Sequence, residues 1–255
     1  MGQRLANLSL DSGDLRLAGA TERPGHQWVG QDVGSVIGRS PLGVKVVDDP
    51  SAAVGEGRVL IDFTAPESTL RNAAACAANN TAMVVGTTGM SEEQLAEFRQ
   101  TAQAVPCVFA PNFSTAMNVL FKLVEEAARI LGDDYDVEIV EAHHRHKVDA
   151  PSGSALGLAQ RAAAGLERNL NEVAVYGRQG EVGARTTKEI GIHAVRGGDL
   201  AGDHKVLYAS DGEYIELRHH ATSRDAFALG ALRAARFAAT AQPGLYDMGD
   251  VLKLK

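Results

Sequence analysis

From residue 59 to residue 131 the chain alternates short apolar runs with amphipathic ones, and this alternation restricts the architecture more than any other feature. Val59-Leu60-Ile61-Asp62-Phe63 is a compact apolar strand, Pro66-Glu67-Ser68 opens an Ala-rich helical segment over 69–78, and Met83-Val84-Val85 is a second strand. That strand runs into Gly86-Thr87-Thr88-Gly89. Ser91-Glu92-Glu93 then supplies a capping hydroxyl and an acidic first turn for a helix reaching about residue 104. A third strand spans 105–110 and ends at Pro111-Asn112-Phe113-Ser114, and a long amphipathic helix over 116–131 follows, closed by Gly132. Strands separated by helices cannot close as hairpins, so the pattern predicts βαβ units, a parallel sheet and an α/β fold.

Past Gly132 the grammar changes. Asp136-Val137-Glu138-Ile139-Val140-Glu141-Ala142 alternates polar and apolar residues, as a strand with one wet face does. A helix is predicted over 154–166, then three strand-like runs over 190–195, 205–209 and 214–219. Gly197-Gly198 and Asp211-Gly212 punctuate those runs, which predicts an antiparallel meander. A last helix is predicted over 226–239. The shift from α/β to α+β marks a second domain, since no repeat or Pro-rich linker does so.

Composition narrows the function. With 45% hydrophobic and 22% charged residues the chain is an ordinary globular protein rather than a disordered one. Its 25 Lys+Arg against 32 Asp+Glu give a net charge of -7, which argues against a nucleic-acid partner or an acidic membrane surface. No run approaches the ~20 apolar residues of a membrane span. Residues 1–14 have no apolar signal-peptide core, and Ala6 stands where a myristoylation motif needs Ser or Thr. Cys76 and Cys107 lack metal or CxxC spacing and read as buried reduced thiols, so a cytoplasmic protein is expected.

The densest polar cluster is Glu141-Ala142-His143-His144-Arg145-His146-Lys147-Val148-Asp149-Ala150-Pro151-Ser152-Gly153-Ser154, between a predicted strand and a predicted helix. Cations concentrated on an acidic protein point to an anionic ligand, a carboxylate or phosphate. Ser152-Gly153-Ser154 adds a helix start whose free N–H groups form a second anion cradle. Adjacent histidine and lysine also suit proton transfer, because mutual repulsion lowers both pKa values and makes each cation a readier proton donor. A zinc site is the rival reading of the histidines. Arg145 and Lys147 would repel a metal ion, and no carboxylate or thiolate evidently completes a ligand set, so no metal is expected.

Gly86-Thr87-Thr88-Gly89 and the turn at Pro111-Asn112-Phe113-Ser114 hold equivalent places after successive strands, where open parallel sheets bind ligands. Either loop alone reads equally as a turn. Residues 15–20 form a short predicted strand ending in Thr21-Glu22-Arg23, where an acidic residue can bind an adenosine ribose and an arginine a 2′-phosphate. An exposed Glu22–Arg23 ion pair is the simpler reading of those two residues.

Together these segments resemble the dihydrodipicolinate reductase family, an enzyme family of lysine and diaminopimelate synthesis. The hallmark is the run from Glu141 to Gly153. The resemblance extends along the whole chain through Ile61-Asp62-Phe63-Thr64, Gly86-Thr87-Thr88-Gly89, Asn112-Phe113-Ser114, Arg196-Gly197-Gly198-Asp199, Ser223-Arg224 and Leu245-Tyr246-Asp247-Met248.

The resemblance implies a Rossmann-like parallel-sheet domain for NADH or NADPH over 1–114 and 224–255, with an inserted α+β substrate-binding and tetramerisation domain over 115–223. It further implies His143 as acid/base residue and Lys147 as proton donor, with His144, Gly153 and Ser154 on a substrate carboxylate. The family usually carries Thr where Ser154 stands, and the hydroxyl is kept. Met1 falls at the end of the family's cofactor-binding glycine-rich turn, and Glu22 and Arg23 fall where the family meets the cofactor ribose and its 2′-phosphate. Gly86, Thr87, Thr88, Ala110, Pro111, Asn112 and Phe113 fall where it meets the nicotinamide half. The implied partners are a small dicarboxylate, 4-hydroxy-tetrahydrodipicolinate, and three further copies of the chain. A nucleotide-sensing homologue without catalysis and a zinc-dependent hydrolase are the rival readings. Retention of both His143 and Lys147 argues against the first.

Gly2-Gln3-Arg4-Leu5-Ala6-Asn7-Leu8 already reads as helix, whereas a dinucleotide fold opens on a strand and a glycine-rich turn. The family's turn ends in Arg-Met-Gly, so the resemblance makes Met1 and Gly2 the end of such a turn. The expectation is a natural start ~15 residues upstream, the usual length of strand plus turn, with weak cofactor binding and low stability for the chain as it stands.

Overall fold

A computed structural model of the chain describes residues 1–55 and 58–254, so residue 255, the expected end of the first domain, lies outside the described residues. The chain divides into two compact units, one formed by Met1–Ser114 with Asp225–Lys253 and the other by Thr115–Arg224.

The first unit contains helix α1 (Gly2–Asp11), β1 (Ala20–Thr21), α2 (Val33–Val36), β2 (Val46–Val47), α3 (Pro50–Val54), β3 (Val59–Asp62), α4 (Pro66–Ala78), β4 (Ala82–Val85), α5 (Glu92–Ala102) and β5 (Pro106–Phe109). Local chemistry sets several boundaries. Pro66 occupies the first turn of α4, where its missing N–H costs no hydrogen bond. Ser91 and Gln94 close a reciprocal capping box on α5, the start that Ser91-Glu92-Glu93 announces.

The second unit contains α6 (Thr115–Leu131), β6 (Asp136–His143), α7 (Gly153–Gly165), α8 (Leu170–Val173), β7 (Ala174–Tyr176), β8 (Ile190–Arg196), β9 (Asp203–Ser210) and β10 (Glu213–His220). The chain then completes the first unit with α9 (Asp225–Ala238), β11 (Gly244–Tyr246) and α10 (Met248–Leu252).

In the first unit β11, β5, β4 and β3 form a parallel sheet in that order. Strand β4 is buried along its length, and its side chains alternate between two cores. Ala82 and Val84 pack with Leu5, Val108 and the small residues of α9, while Met83 and Val85 pack with Ala73, Cys76 and Phe98 of α4 and α5. Both faces are therefore covered, which is why the strands read as unbroken apolar runs. Burial raises the thiol pKa of Cys76 and Cys107 to about 12, so both are inert thiols.

The strand expected over 15–20 is shorter than predicted. Only Ala20–Thr21 ladders, in parallel with Val46–Val47, as a separate two-stranded sheet. Two residues of pairing cannot fix a longer strand, and the preceding residues stay irregular. Helix α1 is formed as expected.

The second unit is a five-stranded mixed sheet in the order β10-β9-β6-β8-β7. The meander expectation fails here. Strand β6 lies between β8 and β9, paired in parallel with β8 and antiparallel with β9, so only β9 and β10 form a hairpin. The alternation in β6 explains the substitution: Val137 and Ile139 enter the core while Glu138 and Val140 face outward, so the strand suits the sheet centre. Helices α6 and α7 cover one face, with Met117, Leu120, Val124, Leu158 and Ala162 packed on Ile139, Ile190 and Val206. Tyr208 sits in this core, and its hydroxyl donates to the Val124 carbonyl at 2.7 Å.

Candidate active site

In the first unit, the loops following β3, β4 and β5 sit at the carboxyl edge of the parallel sheet, where α/β folds bind ligands. Asp62, 1% exposed, braces two of them. Its Oδ1 accepts from the Thr64 hydroxyl at 2.6 Å and from the Thr87 hydroxyl at 3.3 Å, and its Oδ2 from Asn72 Nδ2 at 3.0 Å. The Thr64 N–H donates to Thr87 Oγ1 at 3.0 Å. The Phe63 ring lies against Gly86, where a Cβ would come within 2.2 Å of it, and meets Phe113 edge-on at 5.4 Å. The third loop is held by the Ser114 N–H donating to Asn112 Oδ1 at 2.8 Å.

Gly86, Thr87, Asn112 and Phe113 thus belong to one interlocked set, with Ala110 buried and Pro111 and Thr88 exposed at its rim. The Thr87 hydroxyl is engaged inside the protein, so Thr87 has only its backbone to offer a ligand.

Met1, Glu22 and Arg23 lie elsewhere in this unit. Together with Phe63 and Thr64 they line a cleft of about 1440 Å³. The expected Glu22–Arg23 ion pair does not form among the described residues. The Glu22 carboxylate instead accepts the backbone N–H of Arg23 at 2.8 Å, which leaves the guanidinium exposed. Met1 caps α1 without any side-chain hydrogen bond, so the first amides of that helix keep their donors. An open cleft, an uncommitted cation beside a carboxylate and an uncapped helix start fit a ligand that carries phosphate and ribose.

In the second unit, β6 ends at His143 and α7 begins at Gly153, and the intervening loop carries the other expected residues. Two backbone hydrogen bonds fix the loop to the turn after β8: His144 N–H to the Leu200 carbonyl at 2.8 Å and Arg145 N–H to that of Gly198 at 3.1 Å. Beneath it lies Glu141, fully buried. Its Oε2 meets His143 Nδ1 at 2.6 Å and accepts from Arg196 Nη1 at 2.9 Å. Its Oε1 accepts from Arg196 Nη2 at 2.8 Å and from the Ser152 N–H at 3.0 Å. Burial pushes the Glu141 pKa up, but the hydrogen bonds from Arg196, His143 and Ser152 outweigh it, and the carboxyl stays below its ordinary range, ionised at neutral pH.

Lys147 Nζ donates to Asp149 Oδ1 at 2.8 Å. The His144 pKa is lowered, first by burial and then by the charges of Arg224, His143, His146 and Lys147, which keeps that ring neutral. Ser152 caps α7 by accepting the Ala155 N–H at 3.1 Å, and Gly153 stands exposed in the first turn of α7, beside Ser154. The fold therefore gathers His143, His144, Lys147, Gly153 and Ser154 in one strand-to-helix connection.

Three contributors were not assigned roles from the sequence: Glu141, Arg196 and the buried His204. Glu141 and Arg196 stand in quoted motifs, but nothing local indicates that they meet across 55 positions. His204 packs edge-on against His143 at 5.2 Å, and its Nε2 is 3.2 Å from Ser152 Oγ. No motif marks it. Among the described residues no group of His, Cys, Asp or Glu is arranged to hold a metal ion, and no helix is long and apolar enough to cross a membrane.

Residues 1–113 match the family described as dihydrodipicolinate reductase, N-terminus, and residues 116–252 its C-terminus. The 4-hydroxy-tetrahydrodipicolinate reductase of Alkalilimnicola ehrlichii is 51% identical over 254 residues, covering 100% of this chain and 95% of that protein. That of Magnetococcus marinus is 48% identical over 255 residues, with 100% and 95% coverage. Among solved structures, a dipicolinate-bound dihydrodipicolinate reductase from Paenisporosarcina sp. TG-14 superposes with a TM-score of 0.75 at 26% identity, covering 96% of this chain and 92% of that one. An amine dehydrogenase from Mycobacterium smegmatis shares the fold, with a TM-score of 0.59 at 15% identity over 96% of this chain and 91% of that one. Both halves of one family's pattern run along a sequence that is 51% identical to a 4-hydroxy-tetrahydrodipicolinate reductase, and the chain belongs to the dihydrodipicolinate reductase family.

Proposed function

We propose that this chain catalyses the NAD(P)H-dependent reduction of 4-hydroxy-tetrahydrodipicolinate to tetrahydrodipicolinate in lysine and diaminopimelate biosynthesis, with the first unit holding the cofactor and the second the substrate. The observation that carries this reading is the loop between β6 and α7, where Lys147, His143, His144 and a helix start meet. A small dicarboxylate suits it, since the cationic loop and the amides of α7 each attract an anion. Dipicolinate in the related bacterial structure is a ligand of that class.

Bound NADH or NADPH supplies the hydride. The chain's own residues handle charge and protons. Lys147, paired with the exposed Asp149, is the cation that stabilises negative charge on the substrate ring and returns a proton to it. His143 is the acid/base group beside it. Neutral His144, with Gly153 and Ser154, holds a substrate carboxylate. In the first unit Met1 meets the cofactor at the start of α1, and Glu22 and Arg23 take its adenosine half, Glu22 suiting a free ribose and Arg23 a 2′-phosphate, so both cofactors are used. Gly86, Thr87, Thr88, Ala110, Pro111, Asn112 and Phe113 take the nicotinamide half.

The outer face of the five-stranded sheet supports a homotetramer. Among the described residues no helix of the second unit covers it as α6 and α7 cover the other face, and Tyr214 and Val195 are exposed on it. A cytoplasmic location completes the reading.

The test is oxidation of NADH and of NADPH in the presence of freshly made dihydrodipicolinate-synthase product. Turnover that requires that product is expected. Absence of turnover with both cofactors in folded protein overturns the assignment.

A further inference from the structure

We propose that Glu141 is the positioning residue of the site, holding the His143 imidazole with its proton on Nδ1 and its Nε2 free for proton transfer, and through the same carboxylate setting the start of α7. The inference rests on the reading of His143 as the acid/base group. Glu141 sits two residues before His143 on β6, so both side chains leave the same face of the strand. An ionised carboxylate has only acceptor sites, about four of them. Here four donors meet it: His143 Nδ1, two nitrogens of Arg196 and the Ser152 amide. With every other position taken by an N–H, the contact at 2.6 Å requires His143 to donate from Nδ1. The remaining nitrogen, Nε2, is then the one that exchanges protons.

Two further observations agree with this arrangement. Gly202 lies beside that nitrogen, and a Cβ there would stand 3.2 Å from His143 Nε2, so glycine keeps the approach to it clear. Arg196 is not only a counter-ion. Its Nη2 also donates to the Asp149 carbonyl at 2.7 Å, which fastens the far end of the loop to the same carboxylate. The Ser152 amide and the Ser152 hydroxyl that caps α7 belong to one residue, so displacing Glu141 also disturbs the helix start that carries Gly153 and Ser154. The groups facing Glu141 and His143 from neighbouring elements are Arg196 from β8, His204 from β9 and Ser152 before α7.

The test uses the intact 255-residue chain and its reductase reaction, with histidine labelled by ¹⁵N. In wild-type protein the His143 spectrum is expected to show a protonated Nδ1 and an unprotonated Nε2, and the opposite tautomer overturns the proposal even if no variant folds. Glu141→Gln preserves shape but mixes donor and acceptor. It should shift His143 toward the other tautomer and lower kcat by roughly 10²- to 10⁴-fold, the range general acid–base catalysis supplies. Glu141→Asp keeps the charge and should recover part of that loss. For proton transfer Glu141 acts through His143, so the kcat of Glu141→Gln combined with His143→Gln should be no lower than that of His143→Gln alone, while the disturbed start of α7 raises KM. Multiplying losses in kcat, or an unchanged kcat and tautomer in Glu141→Gln, overturn the positioning role. Normal turnover in His143→Gln overturns the acid/base reading instead, and the wild-type tautomer distinguishes the two failures.

Discussion

His204 should remain uncharged well below the pH at which an ordinary histidine takes a proton, and this makes the second unit sensitive to mild acid. The ring is 3% exposed, its Nε2 faces Ser152 Oγ, and its Nδ1 has no hydrogen-bond partner among the described residues. Burial, then the charges of His143 and His219, lower its pKa from 6.5 to about 4, against a smaller opposing pull from Glu141 and Asp203. The folded value lies below the unfolded one. The unfolded chain therefore binds a proton first, and stability falls as pH drops from about 6.5 toward 4, then levels off. Linkage over pH 7 to 5 gives a loss of about 2 kcal/mol from this one group, out of about 3 kcal/mol for the whole shift.

The direct assay is an NMR titration of the His204 ring in the intact chain, expected to show a midpoint near the value above. The thermodynamic assay compares denaturant midpoints of wild type and His204→Asn, which removes the titrating group, at pH 7, 6 and 5. Wild type should lose about 2 kcal/mol more than the variant over that range. A ring midpoint at or above 6, or parallel pH profiles, would refute the argument.

Other outcomes follow from the same contacts. Gly230→Ala would place a Cβ 1.7 Å from the Phe113 carbonyl oxygen, so α9 or the loop after β5 must retreat. Overpacking of this kind costs about 1–3 kcal/mol, and calorimetry should show a lower melting temperature together with weaker NADH binding, whereas unchanged values would mean the contact is soft. Lys147→Ala should cut kcat by roughly 10²- to 10⁴-fold, and normal steady-state turnover would remove Lys147 from the mechanism. Arg23→Ala should weaken NADPH selectively, and equal losses for NADH and NADPH by calorimetry would show that Arg23 is not at the phosphate.

Much of this protein was legible in the chain because the governing physics is local. The capping box at Ser91, the proline start of α4, the buried runs of β3 and β4 and the amphipathic face of α6 depend on residues a few positions apart, and periodicity exposes them. The cationic loop was equally visible, since His143, His144, Lys147, Gly153 and Ser154 are near neighbours in sequence. Pairing between distant strands was not. Placing β6 between β8 and β9 depends on which strands bury complementary faces, a choice that turn residues such as Gly197-Gly198 do not encode. The strand over 15–20 shrank for the same reason: its apolar residues announce a propensity, but a ladder requires a partner along its length.

The sequence by itself determined the α/β grammar, the helix starts and which residues bring chemistry. The tertiary structure decided what those residues touch. It took Arg196 from a neighbouring strand to Glu141, set His204 against His143 and left Arg23 without the ion pair its neighbour offered. The reason is energetic. A buried carboxylate such as Glu141 is tolerable only where several donors converge on it, and that convergence is a property of packed strands and loops rather than of any segment of the chain.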